Sequence, residues 1–352
     1  MRRYMCLVMV LAVMLGLVGC SGLFSETYVS QSPHRGNEDS DSPTQRVASS
    51  YPEIYSALAA QIDYAEDSGI IILENLDEQV GRSYLEAAVK NVVTQEPIGA
   101  YAVEKIEFDI GTNAGRTAAA VTVTYTRSRT DLLSIKTAKT MDEAQQLIGQ
   151  ALQRAENTVA VRVEQYEQRD YAAMVRSYAD AHPDSVMEIP QVMAASYPHS
   201  GQNRLISLTF TYQNSQKDLQ EMQEVVQPVF QAAELYVQGD FSAKQKFEKL
   251  HSFLMERSQY TIRSSSTPAY SLLQEGVGDC RAFASVYAAM CRQAGLECRV
   301  VNGTKDGKQW SWNRVVFNNR VYYIDLIEAK QIGRMQFRTA SQMSGYVWDR
   351  GA

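Results

Sequence analysis

The chain has 352 residues and a formal net charge of −6, from 34 Lys and Arg against 40 Asp and Glu. That balance excludes the basic footprint of a nucleic-acid-binding protein and offers no polybasic patch to an anionic membrane. Five cysteines and four histidines, nowhere at metal-ligand spacing, give no expectation of a metal or of any other cofactor.

The N-terminus opens on Met1-Arg2-Arg3, continues as an apolar run over 5–18, and reaches Leu17-Val18-Gly19-Cys20. This is the layout of a secretory signal and not of a spanning helix. No later run is long and apolar enough to span a bilayer. Leu-Val-Gly-Cys resembles the bacterial lipobox, whose cysteine becomes the lipid-modified first residue of the mature protein. The resemblance implies a signal peptide over 1–19, lipid attachment at Cys20, and a lipoprotein anchored to the bacterial cell membrane outside the cytoplasm. Residues 20–50, rich in Ser, Asp, Gln, Pro and Asn, then read as the lipidated cysteine and a flexible tether.

Residues 51–238 contain an internal repeat. Thr122-Val123-Thr124-Tyr125, followed by Ser128 and Asp131-Leu132, recurs as Thr209-Phe210-Thr211-Tyr212, Ser215 and Asp218-Leu219. Arg82 and Tyr84 recur at the same offset as Arg169 and Tyr171. Each copy, one over 51–156 and the other over 157–238, reads as a small α+β module of strand, helix, strand, strand, helix. The expected elements are 70–74, 80–93, 102–110, 118–126 and 141–154, then 159–164, 171–181, 186–195, 205–212 and 217–237. Ser128 and Ser215, each three residues before an Asp, suit helix caps. Tyr125 and Tyr212 read either as framework aromatics or as part of a surface shown to a cell-wall or protein partner.

The last domain, 239–352, starts with an amphipathic helix over 243–257 that carries Phe247, Leu250, Phe253 and Leu254 on one face. Gly276-Val277-Gly278-Asp279-Cys280 follows, with Asp279 placed to cap a helix whose Phe283, Val286, Tyr287 and Met290 recur at helical spacing up to Gly295. Cys280 falls in the first turn, where unpaired N–H groups favour a thiolate. The alternative is that it is a small buried residue. Alternating strands are expected over 296–303, 310–317 and 321–325, the last two joined by Asn318-Asn319. Cys291 and Cys298 could pair across the Gly295 turn or be separate buried thiols; with Cys280 they make an odd number.

This order of helix and three strands resembles the transglutaminase-like superfamily of papain-like cysteine enzymes. The resemblance rests on the glycine-preceded Cys280, the Gly295-Leu296-Glu297-Cys298-Arg299-Val300-Val301-Asn302-Gly303 run, Trp312-Asn313 and Tyr322-Tyr323-Ile324-Asp325. It implies an α+β, papain-like C-terminal core behind the two duplicated modules, with Cys280 as nucleophile and Asp325 closing a Cys-His-Asp triad. Where the family has its histidine, two residues before Trp312, this chain has Trp310. Indole is a donor only and cannot take the thiol's proton, so the triad is degenerate. His251, on the opening helix, is the remaining imidazole within the domain. The expectation is therefore a catalytically impaired surface protein. It would bind peptide, protein or peptidoglycan in a groove between the Cys280 helix and the Trp310 strand, with Trp310, Trp312 and Asn313 as binding residues. The other reading is a working cysteine peptidase or acyl transferase that uses Cys280 with a non-standard base.

Overall fold

The computed structural model describes residues 43–349; the signal-like segment 1–19 and Cys20 lie outside the described residues. The end of the expected tether is ordered as strand β1 (Thr44–Ala48), which runs parallel to β2 (Ser68–Leu73), Thr44 opposite Gly69 and Ala48 opposite Leu73. Its sequence is too polar for alternation to reveal it, and pairing with the edge of β2 makes it a strand. A parallel pair needs a crossover. The helix Tyr51–Asp63 provides it and buries Ile54, Leu58 and Ile62. After the helix Glu78–Gln95 and the short helix Pro97–Ala102 come β3 (Val103–Asn113) and β4 (Arg116–Tyr125), giving a sheet of order β1-β2-β4-β3.

A second sheet repeats that order as β5-β6-β8-β7, from β5 (Lys136–Thr140), β6 (Thr158–Gln165), β7 (Gln191–Tyr197) and β8 (Arg204–Thr211). Here β5 and β6 are parallel, and the helix Met141–Gln153 crosses between them. That helix was expected to close the first module and instead lies within the second sheet's unit. The two sheets fall within 44–125 and 136–211, offset from the expected limits of 51–156 and 157–238. The offset has a simple cause: β5, like β1, has a single buried residue, Ala138, and shows no hydrophobic period. β7 begins at Gln191, later than the expected 186, while Val186 and Met187 are buried outside any strand.

The repeated serines do cap helices. Ser128 Oγ accepts from the Asp131 N–H and Ser215 Oγ from the Asp218 N–H, each at 3.1 Å. Each hydroxyl donates back to the aspartate carboxylate at 2.7 Å. Ser215→Ala is expected to cost about 1 kcal/mol, read as a lower urea midpoint at unchanged slope. Tyr125 donates its hydroxyl to the Glu66 carbonyl at 3.2 Å, closing the end of the Tyr51–Asp63 helix, and the Tyr212 hydroxyl is buried. Both tyrosines are part of the framework.

The helix Gln216–Tyr236 follows the second sheet but packs into the C-terminal core. Its Val226, Phe230 and Ala233 share one apolar cluster with Phe247, Leu250, Leu272, Phe283 and Tyr287. The join expected at Gly239 is therefore not where the packing divides. The helix Ala243–Met255 opens on a capping box formed by Ser242 and Gln245. Beyond it, β9 (Gln259–Tyr260) pairs with β10 (Val277–Gly278), and the helix Pro268–Gln274 lies between them in sequence. The central helix is Cys280–Gln293, in which every residue from Ala282 to Cys291 is buried. It packs on a sheet of order β13-β12-β11-β14, made of β11 (Glu297–Lys305), β12 (Lys308–Phe317), β13 (Arg320–Ile324) and β14 (Tyr346–Val347). The expected Asn318-Asn319 hairpin is present, with both residues at positive φ.

Candidate functional site

Asp279 caps the Cys280 helix: one carboxylate oxygen accepts from the Ala282 N–H at 2.8 Å and the other from the Ser264 hydroxyl at 2.7 Å. Gly278, just before it, allows close packing, since a Cβ there would lie 2.9 Å from Leu272 Cδ1. Cys280 is thus held at the helix tip, half-buried, with the Ser311 backbone N–H directed at its sulfur. Burial is the largest influence on the thiol and pushes it up; the Asp279 and Asp325 carboxylates add to this, while the Ser311 and Arg281 N–H groups oppose it. The expectation that the helix tip favours a thiolate is overturned on balance, because burial outweighs the helix end.

Asp325 follows β13 and caps the helix Leu326–Ile332, its Oδ1 accepting from the Ile327 and Glu328 N–H groups at 3.0 Å each. Oδ2 accepts three more bonds: from Trp310 Nε1 at 2.8 Å, Lys305 Nζ at 2.9 Å and the Tyr346 hydroxyl at 2.6 Å. The side chain is 1% exposed, so these donors compensate a charge removed from water. Glu328 extends the network by pairing with Arg338. That bond, helped by Tyr346 and Lys305 against burial, holds its carboxyl down at about 2. Burial and the two carboxylates push the Tyr346 hydroxyl up.

Trp310 and Asp325 therefore meet, and Ser311, next to Trp310, faces the Cys280 sulfur. The Trp310 ring packs 5.6 Å from Tyr260, whose hydroxyl is pushed up by burial, then by Cys280, Asp279 and Asp325. Trp312 and Asn313 do not belong to a binding surface: both are 0% exposed. Trp312 meets Tyr346 and Trp348 edge-on at 5.1 and 5.4 Å. Asn313 donates to the Ala284 carbonyl at 2.8 Å and ties β12 to the central helix. A Trp-Asn pair on one strand sends its two side chains to opposite faces, and here both faces are covered.

His251 bonds to the Leu326 carbonyl at 3.2 Å, and burial pushes its imidazole down. No imidazole is among the groups that shift the Cys280 thiol. Cys291 and Cys298 are free, buried thiols, and burial followed by the neighbouring Cys298 pushes the Cys291 thiol up. Among the described residues no three His, Cys, Asp or Glu side chains are arranged to hold a metal, and no helix is long and apolar enough to cross a membrane. Sequence reasoning missed Lys305 and Tyr346 as partners of Asp325. Neither residue stands at a spacing that marks it as a partner of Asp325, and only the sheet brings them to the carboxylate.

Residues 231–332 match the family model of the transglutaminase-like superfamily, a stretch that includes Cys280, Trp310 and Asp325. Similar solved structures include a TGase, at 11% identity and a TM-score of 0.27 over 55% of this chain and 58% of its own. A candidate cysteine protease from Cytophaga hutchinsonii aligns at 13% identity and 0.27 over 45% of this chain and 70% of its own. Another candidate protease, from Parabacteroides distasonis, aligns at 9% and 0.25 over 62% and 35%. The chain thus spans 58% of the length of the TGase it resembles. No curated protein matches it in sequence. On the family match, this mixed α+β chain carries a transglutaminase-like domain over residues 231–332.

Proposed function

We propose that this protein is a lipid-anchored, extracytoplasmic binding protein whose transglutaminase-like domain has lost acid–base catalysis. One observation carries the reading: the Asp325 oxygen that would orient a histidine accepts the Trp310 N–H instead. A Cys–base–acid system needs its middle member to remove the thiol's proton and later to return it to the leaving group. Indole does neither, and the burial that raises the Cys280 thiol leaves it largely protonated at neutral pH. What remains is a buried framework behind a half-exposed indole, suited to holding a peptide or a cell-wall strand. The two sheets of equal order, read as a duplication, would display that domain away from the membrane.

The test is the pH profile of iodoacetamide labelling, with the modified cysteine identified by mass spectrometry. Labelling of Cys280 is expected to be slow at pH 6 to 7 and to rise only above the ordinary thiol range, near pH 8.5. Fast labelling at pH 6 would mean an activated sulfur and would sink the proposal. Anchoring is tested separately: Cys20→Ser is expected to abolish incorporation of labelled palmitate, and retained label would remove the lipid from the account.

A further inference from the structure

Beside the central sheet lies a groove of about 670 Å³ that the Cys280 site does not use. One wall is the helix Tyr171–Ala181 from the second sheet's unit, which presents Ala173, Arg176 and Ser177; the other is β11, through Cys298, Val300 and Asn302. Among the described residues the edge of β11 is unpaired there, beyond the point where Val347 and Trp348 lie against Gly303. β14 pairs only with Thr304 and Lys305, and among the described residues no strand pairs with 297–303 on that side.

Turn geometry tells which backbone groups face the groove. Asp306 and Gly307, both at positive φ, form a two-residue hairpin turn, which makes Lys305 and Lys308 a hydrogen-bonded pair. Counting back in twos, Gly303, Val301 and Arg299 direct their N–H and C=O groups to β12. Asn302, Val300 and Cys298 direct theirs outward. The bond from the Asp306 N–H to the Gly345 carbonyl, at 2.9 Å, has the same outward parity on the β14 side. From Cys298 to Asn302 this leaves roughly 13 Å of edge that no described strand pairs with, at ~3.3 Å per residue.

Charge selects the occupant. Asp180 is engaged by Arg281 at 2.8 Å, Arg292 lies 3.6 Å from Asp184, and Asp170 accepts from the Ala173 N–H at 3.0 Å. Arg176 and Arg299 are exposed and have no ion-pair partner among the described residues. Two uncommitted guanidinium groups beside an open edge suit carboxylates, which they grip in a planar fork.

We propose that β11 takes up an extended acidic peptide as an added strand, in the groove between it and the Tyr171–Ala181 helix. Three outward N–H and C=O pairs hold the peptide backbone, and Arg176 and Arg299 hold its carboxylates. The site goes beyond the reading of Cys280 and does not need the sulfur.

The probe is a fluorescein-labelled, end-blocked peptide of alternating Val and Glu, added to the full chain and followed by anisotropy and amide hydrogen exchange. Binding is expected to weaken about tenfold or more when Gln replaces Glu, and similarly in the Arg176→Ser, Arg299→Ser double variant. Exchange at Cys298, Val300 and Asn302 is expected to slow with peptide, while Arg299, Val301 and Gly303 are protected from the start. Equal affinity for the Gln peptide, or unchanged exchange at those three amides, overturns the proposal. Loss of binding in Cys280→Ser would put the peptide at the sulfur, which defeats this site but leaves the binding reading of the domain standing. A dimer of the chain that the peptide fails to dissolve would mean that a second copy fills the edge, and also defeats it.

Discussion

Trp310→His is expected to raise the alkylation rate of Cys280 at pH 6 by about tenfold and to flatten its pH dependence between pH 6 and 8. In the present protein burial dominates the thiol, and the carboxylates of Asp279 and Asp325 press in the same direction. An imidazole at position 310 would inherit the Asp325 oxygen that now accepts the indole N–H at 2.8 Å. Its second nitrogen could then take the sulfur's proton, and a thiolate beside an imidazolium falls into the range of roughly 3.5 to 7.5. The thiolate fraction at pH 6 would grow roughly a hundredfold. Nucleophilicity falls as the thiol becomes more acidic, by about tenfold over two units, which leaves the net gain of about tenfold. Hydrolysis or transamidation appearing in the same variant would identify a scaffold complete but for its base. An unaltered pH profile, in a variant that melts cooperatively, would show that position 310 does not address the sulfur.

Asp325→Ala is expected to destabilise the fold by about 3–5 kcal/mol, the cost of removing one partner of a buried ion pair. The substitution leaves the Lys305 ammonium, the Trp310 N–H and the Tyr346 hydroxyl without their shared acceptor and uncaps the helix Leu326–Ile332. Asparagine should be no remedy. Its oxygen can keep the Ile327 and Glu328 N–H groups, but its NH₂ group would then confront three donors where an acceptor is required. Urea unfolding of both variants at one pH is the check. Asp325→Asn within about 1 kcal/mol of the parent would refute a structural role for the carboxylate and return it to the candidates for catalysis.

The two experiments separate questions that the resemblance joins. In a working triad the carboxylate orients a base; here it is the anchor of an ionic and hydrogen-bonded cluster that ties β11, β12, the Leu326–Ile332 helix and β14 together. A role in stability does not require catalysis, because it depends on the acceptor and not on any proton being moved.

Short-range chemistry was readable from the residues alone. The Asp279 cap, the serine caps before Asp131 and Asp218, the Asn318-Asn319 hairpin and the long helix from Cys280 each depend on side chains and backbone within a few positions of one another. The lack of a proton acceptor at position 310 was equally plain, since it is a property of indole itself. Packing decided the rest. β1 and β5 are strands because a neighbouring edge pairs with them, and their own pattern carries no such information. The Met141–Gln153 and Gln216–Tyr236 helices joined units other than those their place in the chain suggested, because apolar faces pack by shape. Trp312 and Asn313 became framework when both faces of β12 were covered. The Cys280 thiol moved up because burial, set by the whole domain, outweighed the local pull of a helix end. Lys305 and Tyr346 reached Asp325 from 20 and 21 residues away only through the pairing of strands.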